Sequence, residues 1–179
     1  MLSEIQKQIE RIKAKGATYV DSRWYPFEDT NVLVMWNGNL KATAMAGESG
    51  IGIRVLYKGA WGFSASSDVG SLPALFDKAF DNARITAERV TFPVRLAEKD
   101  IIQAKFESPC LINPFEVPLA DKVAFLKDMD EKLNQEGVFQ RACEMTFVRK
   151  HILFVDSEGS QIEKLLTERR ANFAKANTN

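Results

Sequence analysis

The sequence predicts an α+β fold whose mostly antiparallel sheet combines an N-terminal β-meander with C-terminal strands, covered by two or three helices. Apolar residues alternate with period two through much of residues 17–66 and again after residue 138, which is typical of strands. Between these regions, apolar residues recur at helical spacing in two segments, near residues 72–87 and 118–133. Strands and helices are thus segregated along the chain, which favours α+β over a doubly wound parallel sheet.

The run from Gly50 to Ser67 predicts a central hairpin around which the chain is organised. Alternation gives its first strand one apolar face and a second face that carries Arg54. Lys58-Gly59 supplies the turn, because glycine tolerates the positive φ of tight hairpin turns. In the second strand Gly62 follows Trp61. Glycine inside a strand indicates that another part of the chain comes close to the strand backbone. We therefore expect an aromatic side chain or a covering helix to pack there.

The segments before this hairpin predict one helix and three strands. Ser3 and Gln6 have capping-box spacing at the start of a helix that ends at Gly16. Pro26 is expected to end the strand that follows. Asn-Gly between apolar runs is a strong hairpin pattern, and it occurs at residues 37–38. The predicted strands are 17–25, 31–36 and 40–45.

The segments after the hairpin predict two helices and further strands. Ser71 is the predicted N-cap of the first helix, and Pro118 opens the second. Residues 92–115 are interpreted as a crossing connection with one short strand at 101–106. Arg149-Lys150 and the polar run 156–159 are expected to separate three final strands. These strands are 138–148, 152–155 and 162–173.

Length and charge limit the function classes that this chain can serve. A chain of 179 residues predicts a single domain, 1–179, with a polar tail, 171–179, that is expected to fray. The formal net charge of zero gives no attraction to nucleic acid or to anionic membranes. The N-terminus lacks the apolar core of a signal peptide and no stretch reaches membrane-spanning length, so a cytoplasmic location is expected.

The residues contain no recognisable catalytic, metal-binding or cofactor-binding pattern. The single histidine, His151, has no ligand-type residue at metal-site spacing, and Cys110 and Cys143 are interpreted as reduced, buried thiols. Two residues are candidates for substrate or interface contact. Arg54 either reaches a rim or pairs with a carboxylate, or it anchors a docked group. Trp61 is either a core residue or part of a contact surface.

Three segments together resemble the N-terminal domain of the TldD/PmbA family of metallopeptidases, described historically as modulators of DNA gyrase. These segments are Gly16-Ala-Thr-Tyr-Val-Asp-Ser-Arg23, Trp36-Asn-Gly38 and the run from Gly50 to Ser64. Phe154-Val-Asp-Ser-Glu-Gly-Ser160 is also similar to a turn that is common in the family. The resemblance spans nearly the whole chain, and its most specific part is the central hairpin.

The resemblance implies that chemistry lies outside these residues. Family members carry His-Glu-x-x-x-His and a further cysteine for zinc in a C-terminal domain, and they are thought to cleave peptides between the domains of a dimer. With His151 as its only histidine, this chain lacks that motif, so no catalytic, metal or cofactor residue is assigned to it.

The expected function is therefore that of a non-catalytic N-terminal domain of a TldD/PmbA-like metallopeptidase, which contributes to the peptide-substrate cleft and to subunit packing. The implied partners are a C-terminal domain, a second family subunit in a homo- or heterodimer, and a peptide or unfolded-protein substrate. Two alternatives stay open, a stand-alone binding or assembly module and the corresponding domain of a zinc-free paralogue subunit. The chain is accordingly expected to be either a piece of a longer protein or a shortened gene product.

Overall fold

The structure is a computed structural model that describes residues 1–177, and it confirms the predicted α+β class. The helices are α1 (Leu2–Ala14), α2 (Leu72–Ala87) and α3 (Leu119–Leu133). The strands are β1 (Tyr19–Trp36), β2 (Asn39–Tyr57), β3 (Ala60–Ser66), β4 (Gln103–Glu107), β5 (Val138–Asp156) and β6 (Gln161–Asn177). They form one mixed, mostly antiparallel sheet in the order β3-β2-β1-β5-β6-β4, in which β2 and β3 pair antiparallel and β4 and β6 pair parallel.

The chain packs as two compact units, each built from three separate segments. Unit 1 contains residues 1–27, 48–107 and 151–165, and unit 2 contains residues 28–47, 108–150 and the chain from 166 onward. The predicted single domain, 1–179, stays a prediction. Four of the five boundaries between the units fall inside the long strands β1, β2, β5 and β6, and the fifth follows the end of β4.

Four strands are longer than the sequence predicts. Pro26 lies inside β1 instead of ending it, and Arg149, Lys150 and His151 lie inside β5 instead of forming a break. Pairing with neighbouring strands overrides the local preference of these residues, because strand formation depends strongly on its context. Residues 171–177, where fraying is expected, belong to β6, whereas residues 178–179 lie outside the described chain.

The two predicted tight turns are confirmed. Asn37 and Gly38 connect β1 to β2 with φ values of 46° and 73°. Lys58 and Gly59 connect β2 to β3 with φ values of 47° and 78°. Two successive positive φ values are typical of the type I′ turn, whose twist matches that of the flanking strands.

The predicted capping box at the start of α1 is wrong. The helix begins at Leu2 with Met1 as its cap residue, and no side chain caps it. Ser3 therefore lies in the first turn of the helix, and its side chain does not cap the N–H groups at the helix start. The helix itself is confirmed, and its apolar stripe, Ile5, Ile9 and Ile12, is buried.

The core of unit 1 lies between its part of the sheet and helices α1 and α2. Along β3 the alternate residues Ala60, Gly62 and Ser64 are buried, and the Ser64 hydroxyl donates a 2.8 Å hydrogen bond to the Leu75 carbonyl of α2. A Cβ on Gly62 would collide with backbone atoms of Ala79 and Ala83, so α2 packs directly against the strand. The close approach of a helix that the glycine predicts is confirmed here. Strands β1, β2 and β5 add the apolar side chains Val20, Ile51, Ile53, Val55 and Val155 to this core.

Unit 2 has a separate, smaller core under α3. Leu126 of α3 is completely buried, and so are Leu33 and Met35 of β1. Cys143 and Phe147 of β5 complete the cluster. Each unit thus buries its own apolar residues, with at least one helix packed on strands.

Substituting Gly62 by alanine tests the contact between α2 and β3. Because the added methyl group meets helix backbone that cannot yield as a flexible side chain can, we expect the free energy of unfolding to fall by about 3 kcal/mol or more. Urea denaturation followed by circular dichroism measures this change. Gly52→Ala is the matched control, since its Cβ would lie 3.4 Å from a ring carbon of Phe63, an ordinary contact, and we expect a change within about 1 kcal/mol. Equal losses in the two variants would contradict the packing described for Gly62.

Candidate functional site

The candidate site lies on the face of the unit 1 sheet that points away from α1 and α2, which we name the outer face. Because successive strand residues point to opposite faces, the burial of Val20 and Val155 under the helices directs Tyr19, Asp21 and Phe154 to the outer face. The outer face therefore carries charged and aromatic side chains where the helix-covered face is apolar.

Arg54 and Trp61, the two predicted contact residues, meet on the outer face. The Arg54 guanidinium donates to both carboxylate oxygens of Asp21, with Nη2 2.6 Å from Oδ2 and Nε 3.1 Å from Oδ1. Its Cζ also lies 5.1 Å from the centre of the Trp61 ring, within range of a cation–π contact. Arg54 thus pairs with a carboxylate, one of the predicted alternatives, while half of its side chain stays exposed.

A second ion cluster, which sequence reasoning missed, lies beside this pair. The ammonium group of Lys99 bonds the carboxylate of Asp156, lies 3.4 Å from Glu158, and lies 5.3 Å from the centre of the Tyr19 ring. Asp156 Oδ1 also accepts hydrogen bonds from the backbone N–H groups of Glu158, at 2.9 Å, and Ser160, at 3.0 Å. Asp156 therefore holds together the β5–β6 turn and the connection that carries Lys99.

The two clusters border one cavity of about 220 Å³ within unit 1. Tyr19 joins them, because its ring meets the Trp61 ring edge-on with centroids 5.9 Å apart. Leu96 and Ala97 of the crossing connection form an apolar part of the cavity wall. The residues that line the cavity are Tyr19, Arg54, Trp61, Leu96, Ala97, Lys99 and Glu158. Such a cavity offers aromatic surface together with both signs of charge, and it is suited to binding.

The pKa values on the outer face follow from burial and from the neighbouring charges. Burial raises the pKa of Tyr19 to about 12, and the negative charges of Asp21 and Asp156 act in the same direction. Burial opposes the charged form of Asp156, but hydrogen bonds from Lys99, Ser160 and Glu158 outweigh it and lower the pKa of this carboxyl. Tyr19 therefore stays a neutral phenol at pH 7 and cannot serve as a base there.

The remaining residues that the sequence singled out lie elsewhere. His151 lies within β5, where its Nε2 is 3.0 Å from Glu163 and its ring packs near Phe27. Both cysteines are free thiols, and Cys143 is buried as expected, whereas Cys110 is exposed. Phe63 is 58% exposed, because it shares the outer face of β3 with Trp61.

The described residues do not fit a zinc site. A protein zinc site needs three or four N, S or O ligands that converge on one ion. Across residues 1–177, no group of three or more His, Cys, Asp or Glu side chains is placed to hold a metal ion. No step of metal chemistry is therefore assigned to this chain. In the same part of the chain, no helix combines the length and apolar character needed to cross a membrane.

Comparison with known proteins agrees with this architecture. The family model described as PmbA/TldA metallopeptidase domain 1 matches residues 28–83. A metalloprotease of Methanocaldococcus jannaschii is 27% identical over 163 residues, which cover 90% of this chain. The resemblance to the TldD/PmbA family is confirmed. A metalloprotease of Methanothermobacter thermautotrophicus is 26% identical over 91% of the chain.

Solved structures share the TldD/PmbA-like fold over nearly the whole chain. A proposed modulator of DNA gyrase from Bacteroides thetaiotaomicron matches 98% of the chain with a TM-score of 0.72 and 13% identity. A second one, from Thermotoga maritima, matches 99% of it with a TM-score of 0.67 and 16% identity. TldE from Thermococcus kodakarensis matches 97% with a TM-score of 0.61 and 12% identity.

The chain spans only part of each of these proteins. It covers 36% of the M. jannaschii metalloprotease and 33% of the M. thermautotrophicus one. It covers 44%, 41% and 43% of the solved chains from T. maritima, B. thetaiotaomicron and T. kodakarensis. More than half of every one of these proteins therefore lies outside the region that resembles this chain.

Replacing Asp156 tests its role in holding the outer face together. Asp156→Ala leaves two backbone N–H groups without their acceptor and removes one of the two carboxylates beside Lys99, so we expect the free energy of unfolding to fall by about 2 kcal/mol. Asp156→Asn is the matched variant, because its amide oxygen can still accept the backbone bonds while the charge is lost. In urea denaturation, we expect Asp156→Asn to lower the free energy of unfolding by less than Asp156→Ala does.

The pH dependence of the same variants tests the charge. Since the folded-state pKa of Asp156 is lowered, its ionisation stabilises the fold fully above the unfolded value of about 3.9, and this contribution is lost as pH falls through the folded pKa. The stability difference between wild type and Asp156→Asn should therefore be constant from about pH 7 to about pH 5 and shrink between about pH 5 and pH 2. A difference that stays constant over this range would show that the charge of Asp156 contributes nothing.

Proposed function

We propose that this chain is the non-catalytic N-terminal domain of a TldD/PmbA-like metallopeptidase, in which it forms one wall of the peptide-substrate cleft and takes part in subunit packing. The observation that carries the proposal is the match of residues 28–83 to the first domain of this family. The metalloprotease relatives, of which the chain covers about a third, support it. In this proposal zinc is held by a C-terminal domain outside these 179 residues.

The outer face of unit 1 is the proposed wall of the cleft. Arg54 and Trp61 present a half-exposed guanidinium and an aromatic ring beside the 220 Å³ cavity. An aromatic ring provides apolar contact to side chains of varied sequence, and a guanidinium has N–H donors suited to peptide carbonyl or carboxylate oxygens. These properties fit a surface that holds unfolded polypeptide without performing chemistry on it.

The edge of strand β2 in unit 2 supports a role in subunit packing. Strand β3 pairs only with Ile51–Tyr57 of β2, so in the described chain residues 39–47 of β2 lack a strand partner on that side. All of these residues are exposed, and Met45 is 82% exposed. An unpaired strand edge is a template for pairing with another chain. We propose that a second family subunit, identical or related, pairs here.

The proposal includes a cytoplasmic location. The free thiol of Cys110 is exposed, and such a thiol persists most readily in a reducing compartment. The balanced formal charge of the chain supports neither nucleic acid nor a membrane surface as its partner.

Peptide binding without cleavage is the first expected result. The chain is incubated with a fluorescently labelled, reduced and carboxymethylated protein in the presence of added zinc, and both anisotropy and cleavage are followed. We expect binding without turnover, and a Trp61→Ala variant whose affinity is lower by about threefold to tenfold. Trp36→Ala is the matched control, because Trp36 is an exposed tryptophan of unit 2. Robust hydrolysis that a chelator does not inhibit would contradict the proposal, and so would equal losses in both variants.

Dimer formation through the β2 edge is the second expected result. We expect the wild-type chain to associate in sedimentation equilibrium and Met45→Lys to shift it towards monomer, because a lysine on an edge strand opposes edge-to-edge pairing. Leu111→Lys is the control, since Leu111 is also fully exposed in unit 2 but lies outside the strands. A wild-type chain that stays monomeric at high micromolar concentration, or a Met45→Lys variant that associates as wild type does, would refute the role of this edge.

A further inference from the structure

A second hollow lies on the outer face of unit 1, apart from the cavity beside Arg54. It has a volume of about 380 Å³ and is formed by three neighbouring strands, β1, β5 and β6. Its floor is apolar and aromatic, and a basic residue stands on each side. The residues that line it are Arg23, Tyr25, Ile152, Phe154, Ile162 and Lys164. No residue of the proposed Arg54 and Trp61 contact belongs to this set.

The two basic residues of the hollow are not neutralised within the described chain. The Arg23 guanidinium lies over an aromatic ring, with its Cζ 5.8 Å from the centre of the Phe154 ring. The side chain of Lys164 has neither a hydrogen bond nor an ion pair to any residue in 1–177. The nearby acidic groups are already engaged, Asp21 by Arg54 and Asp156 by Lys99. The hollow therefore has an excess of two positive charges in a chain whose formal net charge is zero.

The spacing of the two cations matches an extended peptide. Arg23 on β1 and Lys164 on β6 are separated by β5, so their backbones are about 10 Å apart in the direction across the strands, at the usual strand spacing. In an extended peptide, residues i−2 and i+2 lie on the same side as residue i and are separated by about 13 Å. The long side chains of Arg23 and Lys164 can span the difference between these two separations. The central side chain of the peptide then lies over the floor of the hollow.

We propose that this hollow binds acidic peptide segments in which an apolar or aromatic residue lies between two acidic side chains at positions i−2 and i+2. The apolar side chain packs on Phe154 and Ile162, and the two carboxylates pair with Arg23 and Lys164. Pairing of carboxylates with otherwise unneutralised cations selects acidic over neutral or basic segments. This inference rests on the proposed role of the outer face in holding peptide, and it adds a preference of sequence to that role.

The test uses short peptides of defined charge. The acetylated and amidated pentapeptide Glu-Ala-Phe-Ala-Glu is titrated into the 15N-labelled chain and followed by two-dimensional NMR. Peptides with Gln or Lys in place of Glu, and one with Ala in place of Phe, are titrated in parallel. We expect the acidic peptide to bind tightest, and the Gln and Ala peptides each to bind about threefold to tenfold more weakly. Affinity for the acidic peptide should also fall between 50 and 300 mM salt.

Variants of the chain locate the binding site. Arg23→Gln and Lys164→Gln should each lower the affinity for the acidic peptide by about threefold to tenfold, while the affinity for the Gln peptide stays unchanged. Lys78→Gln, on the exposed side of α2, is the control of equal charge and should change affinity less than twofold. Both hollow residues have exposed side chains, and circular dichroism verifies that the variants fold.

The outcomes separate this inference from the proposed function. Equal affinity for the Glu, Gln and Lys peptides overturns the inference, as does a loss in Lys78→Gln equal to that in Arg23→Gln. If the unfolded protein binds in a Trp61-dependent way while the acidic pentapeptide does not bind, the inference fails and the proposed cleft wall stands. If the pentapeptide shows the expected charge dependence while Trp61→Ala has no effect on the unfolded protein, the inference stands and the Trp61 contact fails.

Discussion

The outer face of unit 1 depends on the buried carboxylate of Asp156. This side chain is completely inaccessible to solvent, and a buried charge is costly unless it is paired and hydrogen-bonded. It meets that requirement with two backbone N–H groups of its own turn and with the ammonium group of Lys99. One carboxylate therefore determines the shape of the β5–β6 turn and the path of the connection that lines the cavity.

Charge pairing divides the outer face into two regions with different properties. Around the cavity, Arg54 is paired with Asp21 and Lys99 with Asp156, so a ligand there meets cations that are already largely neutralised. The contact that we propose in this region therefore rests mainly on Trp61, because Tyr19 is buried. Around the hollow, Arg23 and Lys164 lack such carboxylates among the described residues, and a ligand there gains full ion pairs. Under the two proposals, the neutral region holds peptides of varied sequence, whereas the basic region selects acidic ones.

Much of the fold could be predicted from the sequence, because the features involved are local. The hairpin turns follow from Asn-Gly and Lys-Gly, and α2 and α3 follow from apolar spacing. Strand lengths could not be predicted in this way. Pro26 and Arg149-Lys150 interrupt the local pattern, but the neighbouring strands of the sheet continue beside them. The two compact units are also not apparent from local sequence features, because four of their five boundaries lie inside long strands.

The candidate site could be predicted only in part for the same reason. Arg54 was conspicuous as a charge in an apolar strand, and its pairing with a carboxylate was one of the expected alternatives. Its partner, Asp21, is 33 residues away and has no local feature that marks it. Lys99 and Asp156 are 57 residues apart, and the connection that carries Lys99 has no periodic pattern at all. A single charged residue in an otherwise apolar strand therefore indicates that a partner of opposite charge exists. Only the order of the strands in the sheet identifies that partner.

The ionisable groups of the outer face are consistent with the binding role that we propose for it. General acid–base catalysis needs a group that titrates near neutral pH within reach of a substrate. Burial moves the pKa of Tyr19 away from neutrality, to about 12, and the bond from Lys99 helps lower that of Asp156. Neither of these two groups therefore titrates near neutral pH. This agrees with the proposed cleft wall, whose role is to hold a peptide while another domain carries out the reaction.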